Sequence, residues 1–134
     1  MYRRCEGLLW TFLLFSSKVL LLKVAKKLVF TDATTAGGSG NRSLTLSGTN
    51  TADNTLTSVL GLGTGTLTKN GAGTWSLNQS ASTFTGATTI NGGTLKVTTL
   101  ANGGSNSSIG AAAVAATNLN ILNGSTLQWI GSAT

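Results

Sequence analysis

The residues best suited to chemistry in this sequence are two acids, Asp32 and Asp53. The chain contains no histidine, and no other carboxylate side chain occurs after residue 30. The two acids are 21 residues apart, so in a chain that repeats with this period they would lie on neighbouring repeats, as the acid and base of a glycoside-cleaving site require. Both also lie in Thr-, Gly- or Asn-rich stretches, where a short acceptor side chain caps backbone amides. We favour the capping interpretation and predict no catalytic residues.

Two glycine-rich strings could hold an ion or a phosphate. The first, Gly37-Gly38-Ser39-Gly40-Asn41-Arg42, follows the start of a calcium-binding nonapeptide, but Arg42 occupies the position of the ligand carboxylate and would repel the ion. The second, Gly61-Leu62-Gly63-Thr64-Gly65, has neither the Lys-Ser/Thr pair nor the helical pattern of a phosphate loop, and fits a chain corner better. We therefore predict no metal and no cofactor.

The elements that would position such residues are repeated turns followed by strands. An Asn-Gly turn, a small residue, Thr and a large apolar residue occur three times, beginning at Asn70, Asn91 and Asn123. Apolar residues alternate with polar ones after each turn, which is typical of strands with one buried face. The alternation predicts inward positions for Leu44, Leu46, Leu67, Trp75, Leu77, Ile90, Leu95, Val97, Leu119, Ile121, Leu127 and Trp129.

Repeat spacing of about 20 to 30 residues without a helical period favours stacked rungs of a β-solenoid, with a β-sandwich as the alternative. The composition agrees, because 23 threonines suit strand faces and the absence of proline leaves every strand its full set of ladder donors. We predict an all-β solenoid of about four to five rungs over residues 30–134, preceded by a short N-terminal helix.

Residues 1–29 form a separate basic and apolar leader. Six of the nine basic residues lie there, so the calculated pI of about 10.1 describes the leader and gives no reason to expect nucleic-acid binding by the body. The order of charged and apolar residues imitates a secretory signal but lacks a cleavage site, and neither apolar run is long enough to span a bilayer. The leader is therefore an export segment or membrane-contacting anchor, a helix that caps the sheet, or the product of a misassigned start. Its Cys5 is the only cysteine.

Residues 67–97 carry a family resemblance. Leu67-Thr-Lys-Asn-Gly-Ala-Gly-Thr-Trp-Ser-Leu77, followed by Ser82-Thr-Phe-Thr-Gly-Ala-Thr-Thr-Ile-Asn-Gly-Gly-Thr-Leu-Lys-Val97, resembles the autotransporter-associated β-strand repeat of bacterial passenger domains. The resemblance implies a right-handed parallel β-helix, export by a type V route and a place outside the cell or on the outer-membrane surface. It also implies a structural or adhesive role.

Three functions remain open at this stage. The first is a rigid stalk or spacer without catalysis, whose partners are neighbouring rungs of a longer passenger or another copy placed end to end. The second is an adhesin-like module that binds glycans or host surfaces through a Thr- and Asn-rich outer face. The third, a polysaccharide-degrading β-helix enzyme, is disfavoured because acids are so few. Phe84 is the best candidate for stacking on a sugar, although its position in the repeat suggests that it packs at a corner.

Overall fold

A computed structural model describes residues 40–79 and 81–132, together with the backbone of three N-terminal strands at 10–12, 19–24 and 29–30. The secondary structure is almost entirely β. The strands are β1 (Trp10–Phe12), β2 (Val19–Val24), β3 (Val29–Phe30), β4 (Ser43–Gly48), β5 (Asn54–Leu56), β6 (Leu67–Asn70), β7 (Thr74–Leu77), β8 (Thr88–Asn91), β9 (Thr94–Val97), β10 (Leu119–Ile121) and β11 (Thr126–Trp129). One 3-10 turn, Ala116–Asn118, precedes β10.

The strands form two sheets that the chain visits in turn. The first sheet has the order β1-β2-β4-β6-β8-β10, and the second has the order β3-β5-β7-β9-β11. Every neighbouring pair is parallel except β1 with β2. A chain that alternates between two parallel sheets is a solenoid, so the solenoid prediction is confirmed, and a sandwich built from antiparallel hairpins is wrong.

One strand of each sheet makes up a rung, and the described strands form five rungs. Leu67 pairs with Thr88 and Leu44 with Leu67, which gives rung spacings of 21 and 23 residues. The spacing between the last two rungs is longer, since Thr88 pairs with Leu119. The glycine-rich corner at residues 61–65 lies directly on the rung before it: a Cβ at Gly65 would lie 1.6 Å from the carbonyl oxygen of Arg42. Contact this close excludes a phosphate from that corner.

The core consists of columns of apolar side chains that run along the solenoid axis. The first eight inward positions predicted from the alternation, from Leu44 to Val97, are all buried, at 0 to 1% exposure. The last four face inward in the same register but belong to the last rung, and three of them are 39 to 48% exposed. Inward direction was therefore predicted correctly for these four, whereas burial was not, because burial requires a further layer above them.

A third side closes each rung without regular strands. Leu60, Leu62 and Phe84 are buried there, and Ile109 packs against them from the following rung. Backbone bonds join successive layers, for example from Thr83 N–H to the Leu60 carbonyl at 3.1 Å. Phe84 is 0% exposed, which confirms its corner position and removes it as a surface for sugars.

The N-terminal helix predicted within residues 1–29 lies largely outside the described residues. Where the structure describes this segment, it contains β1, β2 and the start of β3. The apolar run from Val19 to Val24 pairs in parallel with β4 and so extends the first sheet by one strand. β-branched residues and leucines fit the face of a sheet as readily as they fit a helix, so the sequence pattern alone did not separate the two.

Candidate functional site

The candidate acid Asp53 is paired with a lysine instead of a second acid. Its two carboxylate oxygens lie 2.8 and 3.0 Å from the Lys96 ammonium nitrogen. In the second sheet the residue of the intervening rung is Ser76, so the Lys96 side chain crosses about 10 Å of sheet to reach Asp53. Asp32, the other candidate, lies outside the described residues. The acid that can be located therefore serves an ion pair on the outer face of the second sheet.

The most unusual polar group is Lys69, whose side chain points into the core. It lies in an inward column between Leu46 and Ile90 and is 0% exposed. Its ammonium nitrogen donates to the carbonyl oxygens of Asn70 (3.2 Å), Gly71 (2.8 Å) and Gly92 (3.0 Å). Two of these acceptors belong to its own turn and the third to the next rung. The ammonium group therefore joins two successive rungs at the same corner.

Burial lowers the pKa of Lys69 from 10.5 to about 8. The physical cause is desolvation, because an ammonium group loses its hydration when it enters the core. The three carbonyl contacts act in the opposite direction, since they favour the charged form. No acid or nucleophile is among the listed partners of this amine, and its surroundings are backbone oxygens. The arrangement is suited to holding rungs together and has no evident substrate access.

Sequence analysis missed Lys69, although the signal was present. Leu67 was assigned to the inward face, and strict alternation places the residue two positions later on that face as well. The general rule that lysine is exposed concealed this consequence.

The outer face of the first sheet carries an uncharged column of hydroxyl groups. Thr45, Thr68 and Thr89 pair in register on three successive strands, and Asn120 continues the column. Parallel strands lie about 4.8 Å apart, so equivalent side chains repeat at that interval. The predicted stacking of turn asparagines is confirmed at one step, where Asn123 Nδ2 donates to Asn91 Oδ1. The face can offer many weak hydrogen bonds to a flat partner.

The long connection between the last two rungs forms a shallow pocket. Residues 107–111 continue the third side, with Ala111 N–H bonded to the Phe84 carbonyl at 2.8 Å. The excursions on either side meet through a bond from Gly104 N–H to the Ala112 carbonyl at 2.8 Å. The pocket of about 370 Å³ between them is lined by small or uncharged residues, among them Asn102, Ser105 and Leu119. It has no group that would bind a charged ligand strongly.

Metal and membrane sites were also sought within the described ranges. Groups of three or more His, Cys, Asp or Glu residues that could hold a metal ion do not occur there. The calcium-like string lies partly outside those ranges, and its described part, Gly40 to Arg42, brings no carboxylate. The helices of the described residues include none of the length and apolarity needed to cross a bilayer.

Comparison with known proteins gives a family match and one curated relative. The family model described as passenger-associated-transport-repeat matches residues 67–97. The chain is 53% identical over 93 residues, 69% of its length, to a protein named adhesin BmaC autotransporter from Brucella suis biovar 1 (strain 1330). The chain spans only 3% of that relative's length. No solved structure matches.

Proposed function

Because the chain carries a passenger repeat of the autotransporter type, a class of secreted or cell-surface protein, we propose that it acts as a rigid stalk or spacer segment outside the cell. The observation that supports this role is the unbroken stack of rungs. Each rung hydrogen-bonds to the rungs beside it through both sheets, and the space between the sheets is filled with side chains. Such an object can set a distance, because each added rung lengthens it by one strand spacing.

We infer that the segment performs no catalysis. The arguments are chemical: the one acid that can be located is bound to Lys96, and the buried amine of Lys69 is held by backbone oxygens. A catalytic β-helix would need a cleft with several ionisable groups. The pocket beside the last rung has an uncharged lining.

Adding a rung tests the spacer role directly. Duplication of residues 67–87, one repeat in the observed register, should lengthen the stack by about 4.8 Å and leave the spectrum of the strands unchanged. Small-angle X-ray scattering measures the maximum dimension, and circular dichroism monitors the fold. A duplicated chain that fails to lengthen, or that loses its cooperative unfolding, would contradict the modular stacking on which a spacer depends.

An adhesive role is the second candidate, and the threonine column on the first sheet favours it. The curated relative is itself named an adhesin. An adhesive face would bind uncharged glycans or host surfaces through many weak hydrogen bonds. Glycan-array binding by the purified chain should then be lost in the triple variant Thr45→Ala, Thr68→Ala and Thr89→Ala.

The matched control for that triple variant replaces three exposed threonines elsewhere, Thr51, Thr64 and Thr83, by alanine. Binding that is lost only in the first triple variant would replace the spacer role by the adhesive one. If the purified chain shows no glycan or matrix binding, and both triple variants behave alike, the spacer proposal stands and the adhesive one fails.

A further inference from the structure

Large apolar side chains are exposed in only one region of the described chain. All seven of them lie in the last rung, in the long connection before it or just after β11: Leu100, Val114, Leu119, Ile121, Leu122, Trp129 and Ile130. In the earlier described rungs the large apolar residues are buried or half-buried. Concentration of apolar surface at one place is typical of an interaction site.

Most of this surface is the cut end of the core. Ile121 lies above Ile90 in one column, and Trp129 lies above Val97 in another. Leu119 and Leu127 end the two remaining columns in the same way. We call the inward side chains of Leu119, Ile121, Leu127 and Trp129, with the outer edges of β10 and β11, the end face.

The end face presents strand edges as well as apolar side chains. β10 is the last strand of the first sheet, and β11 is the last strand of the second, so both sheets end at the same level along the axis. The indole of Trp129 is already fixed, because its Nε1 donates to the Thr98 carbonyl at 3.1 Å. An anchored aromatic residue loses little conformational entropy when it is covered.

The opposite end of the solenoid differs in a way that limits the partner. There the first sheet ends in β1, which pairs antiparallel with β2. A second molecule that added its end face to that edge would meet a reversed strand that interrupts the parallel ladder. The two ends are therefore not complementary, and head-to-tail growth is disfavoured.

The charge distribution allows the end face to meet an identical surface. No charged side chain occurs from Val97 to Thr134, whereas the leader carries six basic residues at the other end of the stack. Two such faces can approach without like-charge repulsion, and the basic leaders then point away from each other. Self-complementary contact of one patch with itself produces a closed two-fold dimer.

We propose that the end face binds the end face of a second copy of this chain, with β10 against β10 and β11 against β11 in antiparallel pairs. A two-fold axis normal to the sheets keeps each sheet in line with its counterpart and keeps both sets of inward side chains inside. The joined molecules form one rod whose core is continuous. This pairing extends the stacking of the proposed spacer, but it does not depend on whether the outer face is adhesive.

The test is the mass and shape of the purified full chain over a range of concentration. Sedimentation equilibrium should show a monomer and a dimer, with no larger species. A stack of five rungs is about 24 Å long, so end-to-end dimers should have a stack of about 48 Å in small-angle scattering. Side-by-side dimers would broaden the cross-section instead and would overturn the proposal.

Two variants and one control locate the contact. Ile121→Lys and Trp129→Lys each place a charge in the end face and should make the chain monomeric at concentrations where the wild type is dimeric. Val114→Lys adds the same charge at a residue that is 87% exposed in the connection, away from both strand edges, and should leave the dimer intact. Circular dichroism and urea unfolding verify that all three variants fold.

Three results would refute the proposal: a wild-type chain that stays monomeric at high concentration, growth into open-ended polymers, or equal loss of the dimer in Val114→Lys. The first of these would also be the result if another protein or a further rung is the true occupant. The spacer role is measured separately, by glycan binding and by the length change on rung duplication, so either proposal can fail alone.

Discussion

The buried amine of Lys69 leads to a test of the core through pH. Its pKa is about 8 in the folded chain and 10.5 in the unfolded chain. Between these two values the unfolded chain keeps the proton and the folded chain releases it. The unfolded state then binds more protons, so the free energy of unfolding increases as the pH rises from 8 to 10.5.

The size of this effect follows from the same two values. A difference of about 2.5 pKa units corresponds to about 3 kcal/mol, at 1.36 kcal/mol per unit. This is an upper limit, because the carbonyl oxygens of Asn70, Gly71 and Gly92 favour the charged amine and oppose the shift. Even one third of it is measurable, since 1 kcal/mol moves the melting temperature of a domain of this size by about 4 to 8 °C.

The assay is urea unfolding followed by the fluorescence of tryptophan, in buffers between pH 7 and pH 10.5. Trp75 is a suitable reporter because it is 0% exposed in the core. In Lys69→Met, which removes the amine and keeps a side chain of similar length, the pH-dependent gain should disappear. In Lys96→Met, which removes a lysine from the outer face, the gain should remain.

Two outcomes would show that the reasoning is wrong. If Lys69→Met retained the same increase of stability with pH as the wild type, the amine would not be the titrating group. If the stability of the wild type fell between pH 8 and pH 10, the charged amine would stabilise the fold by more than its burial costs.

Two further predictions concern the inward register and the turn glycines. Leu95→Asp buries an unpaired carboxylate, at a cost of several kcal/mol, and should abolish cooperative urea unfolding, whereas Lys96→Asp should cost only about 1 kcal/mol by exchanging the Asp53 ion pair for a repulsion; equal effects of the two changes would disprove the register. Gly93→Ala should lower the melting temperature more than Gly104→Ala, because both positions have a positive φ but only at Gly93 would the new Cβ lie 2.3 Å from a backbone carbonyl oxygen of the preceding rung. Similar melting temperatures for the two glycine variants would mean that the preceding rung moves aside.

Much of the fold could be predicted because its signals are local. The Asn-Gly turns, the alternation after them and the spacing of about 21 residues each depend on a short window of sequence. In a solenoid every rung packs on its sequence neighbours, so local repeats determine most contacts. The direction of all twelve predicted inward side chains was therefore correct. The family resemblance over residues 67–97 agrees with the model match over the same residues.

The candidate chemistry could be predicted less well, because it depends on distances across rungs. Asp53 was expected to cap a turn, but its carboxylate lies beside Lys96, which is 43 residues away in sequence. Asn50 accepts the local bond instead, from Ala52 N–H at 3.1 Å. A partner two rungs away leaves no mark in the surrounding residues, so no local pattern could have shown this pair.

By itself the sequence determined the repeat, the strand faces and the lack of a catalytic constellation, because these follow from residue type and short-range spacing. Only the tertiary structure decided which polar groups meet and which apolar groups stay uncovered. Lys69 finds its third carbonyl on the next rung, and Ile121 is exposed although it has the same alternation as the buried Ile90. The physical reason is that burial and pairing belong to neighbouring layers, and a residue's own sequence does not state whether such a layer is present.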